Sequence, residues 1–202
     1  MSSHHFVKEQ QEPAVFILEV KGISFEIVAP LLEWSPTVLV AQEAVEVVLT
    51  WGVKIDVILA THEFQKEHTR LLEEQYPLRF LTVSNLTFLE EGIHYLLASQ
   101  HKGVHLVGFD HQKDQELEEK VLQMDLTLVD GNWKYYPAKE GKFSKWFAAT
   151  EIRLLAAESQ PVEVSNAHGS LLFPVCYLTQ LEVPEGISIF SSTGIFWIGE
   201  RI

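Results

Sequence analysis

The chain has 202 residues, is 47% hydrophobic and carries a formal net charge of −13, with an isoelectric point near 5.1. That length allows one large domain or two small ones, with enough apolar residues for a real core. The acidic balance argues against nucleic acid and anionic membrane surfaces as partners, since both select a basic face. The single cysteine, Cys176, rules out an intrachain disulfide and suits reducing cytoplasm.

Residues 1–12 are polar and read as an arm. Ala14–Val20 (AVFILEV) is the first predicted strand. Gly22–Trp34 is apolar at mixed spacing and holds Pro30, so a short, broken helix is expected. Thr37–Ala41 (TVLVA) is an apolar, β-branched run, hence a buried strand. In the next stretch Ala44, Val45, Val48 and Trp51 recur at helical spacing, and Gly52 stands where a helix stops. Val53–Ala60 is another strand. Strand, helix, strand at this spacing predicts a βαβ unit and a parallel sheet. Open sheets of that kind take ligands beyond the carboxyl ends of their strands. The segments there are Gln42-Glu43-Ala44 and Thr61-His62-Glu63-Phe64.

Lys66–Gln75 reads as a charged surface helix with Leu71 and Leu72 inward, and Leu78–Val83 as a strand. Thr87–Gln100 places Leu89, Ile93, Leu96 and Leu97 on one face, and Thr87 with Glu90 fits a capping box. Val104–Gly108 is a fifth strand. Asp114–Met124 is a charged helix with Leu117, Val121 and Met124 inward. Residues 13–125 thus read as a doubly wound α/β domain with a parallel sheet.

From Leu126 helical spacing mostly disappears. Leu126–Val129 and Trp133–Tyr136 flank Asp130-Gly131-Asn132, which reads as a hairpin. Ile152–Ala156, Val162–Val164, Ser170–Leu178, Ile187–Ser191 and Ile195–Gly199 are short β-rich runs broken by Gly, Pro, Ser or Asn. They predict an all-β sandwich over 126–202. Phe143–Ala149 reads equally as a helical turn or a strand. No apolar run approaches the roughly 18 residues of a membrane-spanning helix.

Several residues invite chemistry. Asp110-His111 follows the fifth strand on the favoured rim, and a carboxylate can orient an imidazole for proton transfer. The plainer alternative is a polar loop. The nine histidines include His62/His68 and His101/His105, but neither pair sits on a clean helix and no cysteine pair joins them, so surface or strand roles are expected. No Walker-type glycine loop is present.

The spacing of Gln42-Glu43-Ala44, then Gly52-Val53-Lys54-Ile55-Asp56-Val57-Ile58, then Ala60–Phe64 resembles the thiamine pyrophosphokinase family. That family has an Asp-Gly-Gly-type turn, a Gly-hydrophobic-x-Pro-Asp segment and a strand ending Gly-Asp-Phe-Asp-Ser. Gly52 and Asp56 match. Gln42 replaces the first aspartate, and Thr61 and Glu63 replace the later two. A family Lys-Asp-x-Thr-Asp-x-Glu segment is matched by Ser84–Glu90, which keeps Thr87 and Glu90 and has Asn85 and Phe88 for the aspartates. Gly108-Phe109-Asp110-His111 stands for Gly-Gly-Arg-x-Asp-His without the arginine.

The resemblance covers most of the chain. It implies an α/β domain followed by a β-sandwich, and a homodimer in which one chain's β domain completes the other's cleft. It also implies transfer of pyrophosphate from ATP to thiamine with Mg2+. On this resemblance Glu63, Asp56 and Asp110 are the catalytic candidates, with Glu63 the metal ligand. Gln42, Glu43, Thr61, His62, Thr87 and Glu90 would bind ATP and Mg2+. Ser192, Thr193 and Trp197 would bind thiamine by hydroxyl contact and stacking on the indole.

The replacements run one way. Mg2+ on a transferring phosphate is held by carboxylate oxygens, and here one carboxylate, Glu63, stands at the matched positions. Each missing electrostatic partner costs about 10²–10³ in rate. Three expectations follow: weak or absent pyrophosphokinase activity, a noncatalytic relative binding thiamine, a nucleotide or another small molecule, or a dimeric interaction protein.

Overall fold

The computed structural model describes residues 12–84 and 87–202. Apart from Glu12, the expected arm lies outside the described residues, as does Asn85. The chain forms two units. The first holds residues up to Asp114 together with Gln123–Gly131, and the second holds Gln115–Leu122 with Asn132–Ile202.

Among the described residues the first unit has six strands: β1 (Ala14–Ile17), β2 (Val38–Ala41), β3 (Val57–Ala60), β4 (Arg79–Thr82), β5 (Gly103–Val107) and β6 (Asp125–Asp130). Their order is β6-β5-β1-β2-β3-β4. Every neighbouring pair is parallel. Parallel neighbours need crossovers, supplied by α1 (Phe25–Leu32), α2 (Val45–Thr50), α3 (His62–Glu67), α4 (Leu71–Glu74) and α5 (Phe88–Ala98). β1, β2 and β3 are buried at every position, as a sheet covered on both faces requires. Val15, Ile17, Val40, Val48 and Ile58 share one core.

Local chemistry explains where these elements begin and end. Gln42–Ala44 forms a 3-10 turn before α2. Gly52 ends that helix at φ +70° and donates to the Leu49 carbonyl at 3.0 Å. The predicted strand from Val53 starts only at Val57, because Lys54–Asp56 form its approach. Pro30 lies inside α1, which stops two residues later. Lys66–Gln75 is not one helix: α3 ends at His68 (φ −114°) and α4 follows. Leu71 is buried there, but Leu72 is 39% exposed, not inward as expected. Thr87 makes no side-chain cap, so the capping box does not form. Residues His111–Leu117 form a 3-10 stretch kinked at Lys113, and α6 covers Glu118–Gln123.

β6 corrects the expected domain boundary. Leu126 pairs in parallel with Val104, and Leu128 with Leu106. Asp125–Asp130 is therefore the last strand of the parallel sheet. An apolar run announces a strand but not its partner, so the break in helical spacing came one element too early as a boundary.

The second unit holds two antiparallel sheets. One has the order β12-β9-β14-β7, from β7 (Trp133–Ala138), β9 (Thr150–Leu155), β12 (Leu178–Val183) and β14 (Phe196–Arg201). The other has the order β11-β10-β13-β8, from β8 (Lys142–Phe147), β10 (Pro161–Asn166), β11 (Gly169–Pro174) and β13 (Gly186–Ser191). Ile152, Leu154 and Ile198 from the first sheet share a core with Val162, Val164, Phe190 and Phe147 from the second. A core common to two antiparallel sheets makes this the predicted sandwich. Phe143–Ala149 resolves mainly as strand β8, and Ser170–Leu178 splits at Val175-Cys176-Tyr177.

Candidate functional site

In the first unit the chain steps from β1 outward to β4 on one side and lays β5 and β6 on the other. The switch point lies between β1 and β5, and the carboxyl rim beside it is the expected place for a ligand. The rim is tightly built there. Gly108 sits at φ +78°, and a Cβ on it would stand 1.8 Å from the Glu19 carbonyl oxygen. Its N–H donates to the Val129 carbonyl at 2.8 Å. Only glycine tolerates both the angle and the approach.

Two turns meet on the β2–β3 side. The Thr61 hydroxyl caps α3 by accepting from the Phe64 N–H at 3.3 Å. The Thr61 N–H donates to Gln42 Oε1 at 2.8 Å, and Gln42 Nε2 donates to Glu43 Oε1 at 3.2 Å. Gln42, Glu43 and Thr61 are thus joined. The Gln42 amide serves as a strut between the turns. Gln65, unmarked in the sequence, extends the brace: its Nε2 donates to the Ala60 carbonyl at 3.0 Å and to the Thr82 hydroxyl at 3.1 Å. His62 and Glu63 are exposed in the first turn of α3. A glutamate there suits the positive end of the helix dipole.

The β5–β6 side carries a second constellation. Asp130 ends β6, and its Oδ2 lies 2.6 Å from His111 Nδ1 and accepts from the His111 N–H at 3.1 Å. Asp110 Oδ1 accepts from the Gln112 N–H at 2.9 Å. One ligand-capable atom from each of Asp110, His111 and Asp130 lies within 4.8 Å of the others. The carboxylate bonded to the imidazole is therefore Asp130, and not the adjacent Asp110. Bonded this way, the ring favours the Nδ1–H tautomer, with Nε2 the basic nitrogen. Asp130 looked like a hairpin residue. Its signal was its position one step beyond an apolar strand.

Other candidates lie apart. Asp56 precedes β3 whereas Glu63 follows it, so the two occupy opposite ends of the strand and do not share a site. Asp56 Oδ2 accepts from the Val38 N–H at 2.9 Å and Oδ1 lies 3.4 Å from Lys54 Nζ. This fastens the start of β2 to the start of β3. Thr87 and Glu90 stand exposed at the start of α5.

In the second unit Trp197 is 2% exposed, a core residue of β14 with no open ring face. The Ser192 hydroxyl donates to the Pro161 carbonyl at 2.7 Å and accepts from Gln160 Nε2 at 2.8 Å. Thr193 is exposed.

The donor set tests the fit of Mg2+. At the positions matched to the family's metal site the chain offers Glu63, a threonine hydroxyl, and an amide whose oxygen is already bonded. Asp56 is at the far end of the strand. This does not make a Mg2+ site of the carboxylate-rich kind that bridges phosphates.

No protein-family model and no curated protein matches the sequence. Solved structures do. The thiamin pyrophosphokinase of Geobacillus thermodenitrificans superposes with a TM-score of 0.71 at 10% identity, covering 94% of this chain and 97% of that one. The Bacillus subtilis thiamine pyrophosphokinase gives 0.71 at 11% identity, with 94% and 98% covered. The yeast enzyme gives 0.66 at 8% identity, with 95% and 87% covered. Over nearly its whole length, this chain has the fold of the thiamin pyrophosphokinases.

Proposed function

We propose that the chain is a thiamine pyrophosphokinase-like protein in which transfer of pyrophosphate from ATP to thiamine is weak or absent, and that its carboxyl rim retains small-molecule binding. One observation carries this reading. At the positions matched to the family's aspartates, Gln42 is tied to Thr61 and Glu63 is the one carboxylate. Pyrophosphoryl transfer concentrates negative charge on oxygens that a metal must neutralise. At the positions matched to the family's aspartates the rim carries an amide and a hydroxyl beside Glu63, on a braced backbone. The Asp110–His111–Asp130 group could orient a polar ligand there, or move a proton, without the family's metal set.

The experiment is two measurements on the same protein. With ATP, Mg2+ and thiamine supplied, AMP should stay at the thiamine-free blank. Calorimetry with thiamine, thiamine phosphates and ATP should detect at least one ligand. If none binds, the retained-site half of the proposal fails.

A second reading concerns assembly. The outer face of the β11-β10-β13-β8 sheet exposes Leu172 at 66% on edge strand β11, and Trp146 at 57% faces Ile187 at 60% across β8 and β13. An apolar sheet face with an unblunted edge is the kind of surface a second copy covers. We therefore propose a homodimer through the β11-β10-β13-β8 sheet. Among the described residues no helix is long and apolar enough to cross a membrane.

A further inference from the structure

The amino ends of the strands in the first unit, opposite the rim just described, hold a cavity of about 810 Å3. Its volume falls within the range of small-molecule sites, ~300–1,000 Å3. Aromatic rings supply one part of the lining: Phe25, Trp51 and Tyr95. The Phe25 and Trp51 rings are tilted, with centroids 6.1 Å apart. Another part is polar and already ordered. Buried His101 meets the Ser99 hydroxyl through Nδ1 and the Thr37 hydroxyl through Nε2, both at 2.9 Å. Those hydroxyls and that ring are occupied with each other and hold the wall in place.

Charge decides the ligand class. The ionised lining residues are Lys54, Asp56 and Arg79. Lys54 and Asp56 pair at 3.4 Å, and the other Asp56 oxygen takes the Val38 N–H. Burial lowers the His101 pKa and keeps that ring neutral. The Arg79 guanidinium has no hydrogen-bond or ion-pair partner among the described residues. The carboxyl ends of α2 and α5 face this side, and their partial negative charge opposes an anion. Their last carbonyls, however, are taken: Leu49 by the Gly52 N–H, Tyr95 by Ser99 and Leu96 by the His101 N–H. What remains is one uncompensated cation, on a chain of net charge −13. A guanidinium fork matches a carboxylate, and a single positive charge suits a monoanion better than a phosphate dianion.

We propose that this cavity binds a small planar aromatic monocarboxylate, its ring among Phe25, Trp51 and Tyr95 and its carboxylate on Arg79. The site is independent of the rim: it uses the other ends of the same strands, and none of its groups lies in the Gln42–Thr61 or His111–Asp130 contacts.

Calorimetry on the full chain tests this with three probes of similar ring and different charge: indole-3-acetate, indole-3-acetamide and tryptamine. The acid should bind, the neutral amide about 10-fold or more weaker, and the amine not measurably. Arg79→Gln, at an exposed position, should weaken the acid by about 10-fold or more with the melting temperature of the free protein unchanged. Glu63→Gln should leave acid binding as it is, whatever it does to thiamine or ATP. No binding of the acid at millimolar concentration, equal binding of acid and amide, or indifference to Arg79→Gln would each overturn the assignment.

Discussion

Three side chains show how a residue's neighbours, more than its type, set its work. Asp56 matches a family aspartate in sequence, yet its carboxylate is used up by the Val38 N–H and Lys54. Asp56→Ala should cost about 1–3 kcal/mol of stability, since it leaves a strand-start N–H without its acceptor. Ligand binding at the rim should be unchanged, and chemical denaturation beside calorimetry separates the two effects. Gln42 bridges two turns through Thr61. Gln42→Ala should lower stability by about 1 kcal/mol and weaken any rim ligand by letting the turns part. His101 is buried, and burial lowers its pKa below the ordinary 6.5. The folded chain then binds fewer protons than the unfolded one. The stability this contributes is complete above pH 6.5 and drains away as pH falls through the depressed value. Denaturation midpoints across that window should fall more steeply for the wild type than for His101→Asn. Lys54 apart, the partners that fix these side chains are not visible in a linear sequence, because Val38–Asp56, Gln42–Thr61 and Thr37–His101 each join residues 18 or more positions apart.

Elements were more legible than residues. β1, β2, β3, β5 and the core-facing positions of α5 followed from apolar periodicity, because their burial demands it. What went unread was pairing. β6 looked like the first strand of the sandwich and is the last of the parallel sheet. The helix predicted across Lys66–Gln75 breaks at His68, whose Nδ1 turns back to the Phe64 carbonyl at 2.9 Å while its ring stacks on Phe64 at 3.9 Å. The rim itself depends on one glycine. Gly108→Ala must find room against the Glu19 carbonyl and hold a left-handed angle. The angle alone costs about 1–3 kcal/mol, and the clash adds to it. In a chain this size the melting temperature should drop by at least roughly 5 °C, measurable by calorimetric scan. A variant with an unchanged melting temperature would mean that β5 and the β1 loop do not approach so closely.

At the scale of the whole molecule, two units with separate cores share the fold of the thiamin pyrophosphokinases at about 10% sequence identity. Cores tolerate wide substitution when volume and pattern are kept. A metal site tolerates almost none, because each charged oxygen is an irreplaceable part of the field on the phosphates. The fold could therefore be read from pattern and spacing, whereas the proposed function turns on a few positions, Gln42, Thr61 and Glu63, that neither pattern nor fold fixes. The exposed apolar face of the second unit carries its own prediction. Sedimentation at micromolar concentration should give twice the chain mass, and Leu172→Glu with Ile187→Glu should give a folded monomer. A wild-type protein that is already monomeric would remove the proposed dimer.

The proposed weakness or absence of pyrophosphoryl transfer is tested most directly by AMP release. Purified protein is supplied with ATP, Mg2+ and thiamine, and AMP and thiamine diphosphate are followed together over many hours. AMP should stay no higher than in the thiamine-free blank, with no thiamine diphosphate formed. Equal amounts of both products, rising with enzyme concentration, would contradict it.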